Sequence, residues 1–120
     1  MKVLIVEDDK DISWVYQEGL KTKNHKIKIA EDGEVAMVLA RSFSPEMIFL
    51  DLLLPKKDGM TVLAELKADL DLKTIPVIVL SNLSDDENIK KALTLGAADY
   101  FVKSQHPIFE IMEKVQQYMV

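Results

Sequence analysis

Three consecutive acids, Glu7, Asp8 and Asp9, follow the apolar run Val3 to Val6, and a fourth acid, Asp51, follows the run Met47 to Leu50. Ser81 closes a third run, Val77 to Leu80, and Lys103 closes a fourth, Tyr100 to Val102. If these runs are parallel strands of one sheet, the carboxylates, the hydroxyl and the ammonium meet at a single edge. Carboxylates gathered there repel one another and need a counter-charge. A hard divalent cation supplies it, since Mg²⁺ takes about six oxygen ligands, keeps several waters and uses one or two carboxylates plus phosphate oxygens. Each residue also has a plain reading. Acids at a helix N-terminus are favoured by the helix dipole without any metal, Asp51 alone is a solvated loop acid, and Lys103 alone is a surface lysine. What favours a site is that four strand ends each deliver a different part: acids, nucleophile, hydroxyl and ammonium.

The elements that would position these groups are legible as short apolar runs alternating with helical patterns. Val3 to Val6, Ile27 to Ala30, Met47 to Leu50, Val77 to Leu80 and Tyr100 to Val102 read as strands. Four are nearly continuously apolar, as in parallel strands covered on both faces, whereas Ile27-Lys28-Ile29 alternates and suits an edge. Ile12, Val15, Tyr16 and Leu20 recur at helical spacing, as do Val35, Ala36, Leu39 and Ala40, and then Met60, Leu63, Ala64 and Leu66. A fourth helix starts with the capping box Ser84-Asp85-Asp86-Glu87, continues through Ile89, Ala92 and Leu93, and ends at Gly96 in a left-handed turn. The last begins near Pro107 and runs through Ile108, Ile111, Met112, Val115 and Met119. Strand-helix alternation of this kind predicts right-handed crossovers and a doubly wound α/β domain, with its ligand site beyond the carboxyl ends of the strands.

Composition bounds the function. A chain of 120 residues, 48% apolar, supports one packed domain. A net charge of -5 offers no basic excess for phosphates or anionic lipid, so neither direct nucleic-acid binding nor membrane attachment is expected. The absence of cysteine excludes disulfides and thiolate metal sites. The N-terminal apolar run is too short for a signal peptide or span, and a soluble, cytoplasmic protein is expected.

Taken together, the segments Leu4 to Asp9, Ile48 to Gly59, Val79-Leu-Ser81, Gly96 to Tyr100 and Phe101-Val-Lys103 resemble the response-regulator receiver domain of bacterial two-component signalling over essentially the whole chain. The resemblance implies a flavodoxin-like sheet of five parallel strands in the order 2-1-3-4-5 with five helices. It implies Asp51 as phosphoacceptor, Glu7 and Asp8 as the acid pair, and Asp8, Asp51 and the Leu53 carbonyl as ligands of Mg²⁺, with Mn²⁺ as an alternative; Asp9 is then peripheral. It implies a phosphoacceptor switch, not an enzyme with its own substrate, charged by a histidine kinase or histidine phosphotransfer protein. Lys103 would offset charge on the transferring group, and the Ser81 hydroxyl would move toward it and leave room for Tyr100 to turn inward. The fourth helix, fifth strand and fifth helix would form the switch surface for a downstream protein or a homodimer. The receiver is expected to fill residues 1–120, with no output domain in this chain.

Departures from the family pattern are informative. Ser104 follows Lys103 where proline in a cis peptide is usual, and a cis bond before serine would cost about 3 kcal/mol. Asn82 stands where a small residue is common, and either narrows access to Asp51 or bonds the phosphoryl group. Leu53 and Leu83 occupy places that often carry water-orienting polar groups, which predicts slow self-dephosphorylation. Trp14 lies off the stripe of the first helix and is read as half-buried, with kinase docking as the alternative; Phe109 and Met112 are read as core, with a partner face on the last helix as the alternative; and His25 and His106 are read as ordinary surface residues.

Three rival readings remain at this point. An aspartyl-nucleophile phosphatase of haloacid dehalogenase type normally needs a second acid where Leu53 stands. A flavodoxin-like cofactor binder should have a phosphate loop rich in Ser, Thr or Gly, and Glu7-Asp8-Asp9 would repel phosphate there. A phosphorylation-independent receiver would have little use for the full set of acids, Ser81 and Lys103.

Overall fold

In the computed structural model, which describes residues 1–21 and 24–118, the apolar runs form β1 (Lys2–Val6), β2 (Lys26–Ala30), β3 (Met47–Leu50), β4 (Val77–Ser81) and β5 (Asp99–Val102). All pair in parallel, in the order β2-β1-β3-β4-β5. The connecting helices are α1 (Lys10–Lys21), α2 (Gly33–Phe43), α3 (Gly59–Ala68), α4 (Asp86–Leu95) and α5 (Ile108–Val115). The continuously apolar strands β1, β3 and β4 are buried along nearly their whole length, while β2 alternates in exposure as its Lys-Ile-Lys pattern requires of an edge. The other edge, β5, is half-buried at Asp99 and Tyr100 and buried at Phe101 and Val102.

Successive strand residues point to opposite faces, so the core divides in two. Leu4, Val6, Ile48, Leu50, Val77 and Val79 pack with Ala36, Ala40, Leu63 and Ala92 beneath α2, α3 and α4. Val3, Ile5, Phe49, Ile78 and Leu80 pack with Tyr16, Leu20, Ile111 and Val115 beneath α1 and α5.

Several local expectations need correction. The cap of α4 is Asp85, not Ser84: its carboxylate accepts from the Asn88 amide, and the Asn88 side chain bonds back to it at 2.8 Å. Trp14 is 60% exposed, not half-buried, and Phe109 is 67% exposed, not core. Each lies two residues before a buried stripe member, Tyr16 and Ile111, hence about 200° around the helix from it. Val35 and Leu93, each one residue and so about 100° from the buried Ala36 and Ala92, are exposed as well. Met119 lies outside the described residues. Gly96 ends α4 with φ of 115°, as expected, and Pro107 caps the start of α5. The Lys103–Gln105 segment forms a 3-10 turn, and there is no cis peptide bond among the described residues.

Candidate functional site

Backbone pairing continues one residue past the strands and places the acids. The Glu7 amide donates to the Ala30 carbonyl and the Asp51 amide to the Val6 carbonyl, each at 3.0 Å. Glu7 and Asp51 are thereby held, 2% and 7% exposed, beside each other at the carboxyl edge of β1 and β3. Asp8 is exposed, yet one carboxylate oxygen from each of Glu7, Asp8 and Asp51 lies within 4.8 Å of the others. Asp9 is separate: its Oδ1 accepts from the Asp11 and Ile12 amides, so it serves as a cap for α1. The helix-dipole reading of the three acids therefore holds for Asp9 alone.

The Lys103 ammonium, carried in from the end of β5, donates to Glu7 Oε1 and, at 3.2 Å, to Asp51 Oδ2. The other oxygens are also engaged, Glu7 Oε2 by the Asp9 amide and Asp51 Oδ1 by the Leu53 amide at 3.2 Å. Burial raises the Glu7 carboxyl to about 7, opposed by its bond to Lys103 and reinforced by the Asp51 charge. Three converging carboxylates with one lysine between them form an all-oxygen donor set of the kind Mg²⁺ and Mn²⁺ share. Leu53, expected to lend its carbonyl to a metal, is exposed and meets Asp51 through its amide.

Ser81 is fully buried at the end of β4, between β3 and β5, and its hydroxyl accepts from the Leu83 amide at 3.3 Å. Tyr100 is half-buried, and its hydroxyl donates to the Leu83 carbonyl at 2.6 Å. Burial raises its phenol, against a lowering bond from Ser81. Both switch candidates thus grip one backbone residue, Leu83. The sequence offered no signal for that, because a carbonyl has no residue type. Asn82 beside them is exposed. His106 pairs with Glu110 at 3.2 Å, and neither it nor His25 belongs to the acid cluster.

The family model for the response regulator receiver domain matches residues 3–116. The chain belongs to the response regulator receiver domain family. This receiver domain is 37% identical to the response regulator Rcp1 of Synechocystis, over 97% of this chain and 86% of that protein. It is 37% identical to the probable transcriptional regulator ycf27 of Guillardia theta, but there it spans only 41% of the relative's length. Among solved structures, the Mn²⁺-bound form of Rcp1 superimposes with a TM-score of 0.88 at 36% identity, covering 98% of this chain and 92% of that one. The phosphorylated cyanobacterial phytochrome response regulator RcpA gives 0.87 at 35% identity, covering 98% and 91%.

Receiver domains are phosphoacceptor switches that bind a divalent metal and work with histidine kinases or phosphotransfer proteins, and this chain is one of them. The phosphatase and flavin-binding readings fall with that assignment. No helix among the described residues is long and apolar enough to cross a membrane.

Proposed function

We propose that this receiver domain accepts a phosphoryl group on Asp51 from a histidine kinase or histidine phosphotransfer protein, in a Mg²⁺-dependent reaction in the cytoplasm. The observation that carries the reading is the Lys103 ammonium held between Glu7 and Asp51. A carboxylate oxygen of Asp51 attacks phosphorus in line, the P–N bond to the donor imidazole breaks, and its electron pair stays with the departing ring. Lys103 moves from the carboxylates onto the transferring oxygens, where its charge opposes theirs. Glu7, Asp8, Asp51 and the Leu53 carbonyl would hold the cation, which would supply further positive charge against the transferring group. The protein mainly positions and neutralises, and residues 1–120 work as one receiver unit.

The acyl phosphate gives the Ser81 hydroxyl a new acceptor. Moving toward it means leaving the Leu83 amide, and Tyr100, bonded to the same residue, registers the change. That links chemistry to the α4–β5–α5 face, the surface for a downstream protein or a second copy, and a modest differential energy suffices to shift a minor active population. Leu53 and Leu83 present no side-chain polar group to orient water, so the domain assists its own phosphorylation but loses the group slowly.

Intact mass after incubation with acetyl phosphate and Mg²⁺ tests the reading. One phosphoryl adduct is expected, dependent on Mg²⁺, persisting for minutes or longer and missing in Asp51→Asn. Persistence of the adduct in Asp51→Asn would assign the acceptor elsewhere. No adduct from either acetyl phosphate or a phosphohistidine donor would leave a receiver acting by contact alone.

A further inference from the structure

Asp51 opens the loop that joins β3 to α3, and that loop carries a strained turn. The Lys57 amide donates to the Pro55 carbonyl at 2.8 Å, closing a γ-turn around Lys56, whose φ is 66°. With φ on the left-handed side this is the rare, strained form of the turn. Glycine would adopt the same backbone without that cost, yet a lysine stands there. Its ammonium lies 3.7 Å from the Asp32 carboxylate, and an ion pair whose lysine side chain is 61% exposed adds little stability. Strain of this kind persists only where the surroundings impose it, and it gathers at functional sites.

The turn between β2 and α2 imposes it. Asp32 caps α2, accepting from the Val35 amide at 2.8 Å, and the next residue, Gly33, lies against the loop. The Gly33 amide reaches the Pro55 carbonyl at 3.5 Å. A Cβ on Gly33 would overlap the Lys57 carbonyl oxygen and stand 2.6 Å from the Lys57 Cβ, so the two backbones meet there with no room for a side chain. The Lys57 ammonium in turn pairs with Glu65 of α3 at 2.7 Å. Nearer Asp51, the Leu52 carbonyl accepts from the Gly59 amide at 2.9 Å. Only Leu53 and Leu54 lie between the two anchored carbonyls, those of Leu52 and Pro55, and two residues leave little slack. Leu53 is exposed, so its own packing does not fix its carbonyl; the anchors on either side do.

We propose that Asp32, Gly33 and Lys56 are positioning residues for the divalent cation: by holding the strained turn, they fix where the Leu53 carbonyl stands beside Asp51. The proposal rests on the reading of Asp51 and the Leu53 carbonyl as metal ligands. A backbone ligand already held in one place costs little ordering when the ion arrives, whereas a loose loop must be ordered at that moment. Relaxing the turn therefore stabilises the free protein, or leaves it unchanged, while weakening the hold on the cation.

The test measures Mg²⁺ binding by isothermal titration calorimetry, and melting in EDTA, for wild type, Lys56→Gly, Asp32→Asn, Lys56→Arg and Asp51→Asn. Lys56→Gly should bind Mg²⁺ about tenfold more weakly and melt at or above the wild-type temperature. Direct electrostatics predicts the reverse, since removing a nearby positive charge would tighten the hold on a cation. Asp32→Asn retains a capping side chain and should also weaken binding. Lys56→Arg keeps both the charge and the strained φ, and should bind as wild type does. A Mg²⁺ affinity unchanged in Lys56→Gly or in Asp32→Asn would overturn the proposal, and so would losses that follow the melting temperature from variant to variant. Asp51→Asn separates the two readings. If it loses Mg²⁺ affinity while Lys56→Gly does not, the metal site stands and the positioning fails; if wild type and Asp51→Asn bind Mg²⁺ alike, the ligand assignment fails and the proposal falls with it.

Discussion

Glu7 and Asp51 are buried neighbours of like charge, and Lys103 is what makes the arrangement tolerable. Even so, burial, with Asp51 adding to it, brings Glu7 to about 7. A carboxyl raised on folding favours the native state fully below its unfolded value of about 4.3, and that advantage disappears as pH climbs through the folded value. With EDTA present, stability measured by urea denaturation should therefore fall on the order of 1–3 kcal/mol between pH 5 and pH 8. Glu7→Gln should remove most of that slope; a slope unchanged by the substitution would place its origin elsewhere. The helix-capping acids Asp32, Asp58 and Asp85 run the other way. Their lowered values contribute stability above the unfolded range of about 3.9, lost as pH falls, so the optimum in EDTA lies near pH 5.

At the scale of elements, the site depends on how closely α3 approaches β3. A Cβ on Gly59 would sit 2.1 Å from the Asp51 carbonyl oxygen, and the Gly59 amide donates to the Leu52 carbonyl at 2.9 Å. The start of α3 is thus clamped to the backbone that carries the acceptor. Gly59→Ala must push either the helix or Asp51 aside, and should cost about 2–4 kcal/mol in chemical denaturation with a loss of phosphorylation. Asp58→Ala makes a useful contrast. It removes the cap whose carboxylate accepts from the Thr61 amide at 2.9 Å, costs about 1 kcal/mol, and should leave phosphorylation close to wild type. Equal losses of phosphorylation in the two variants would show that general destabilisation, and not the clamp, governs the site.

For the whole molecule, the sheet order is what gathers the site. Because β1 and β3 are adjacent, the acids after them meet. Because β4 and β5 follow on one side, Ser81 and Lys103 arrive at the same edge. The three acids concentrate negative charge at that edge, and a divalent cation that binds only the folded arrangement must stabilise it. Saturation at a hundredfold excess over the dissociation constant is worth roughly 2.7 kcal/mol. Mg²⁺ should accordingly raise the melting temperature by several degrees, and Asp51→Asn should melt higher than wild type in EDTA and gain less from Mg²⁺. An identical Mg²⁺ shift in wild type and Asp51→Asn would remove Asp51 from the metal site.

What the sequence determined by itself is periodicity and punctuation. Apolar runs at strand length, helical stripes, Gly96 and the acids and lysine at run ends settle the element order and nominate Glu7, Asp8, Asp51, Ser81 and Lys103, since those signals are local in the chain, while Tyr100 enters only through the family resemblance. Which side of a helix a large residue takes was less legible: Trp14 and Phe109 lie outside the cores because of where each helix docks, and docking is a property of the partner surface. Leu83 and the Tyr16 hydroxyl depended wholly on tertiary structure. One acts through its backbone, which no residue type advertises, and the other looks like ordinary core until the fold buries its hydroxyl without a hydrogen-bond partner among the described residues. The contact of Lys103 with Glu7 joins residues 96 positions apart, so it exists only once the sheet has formed.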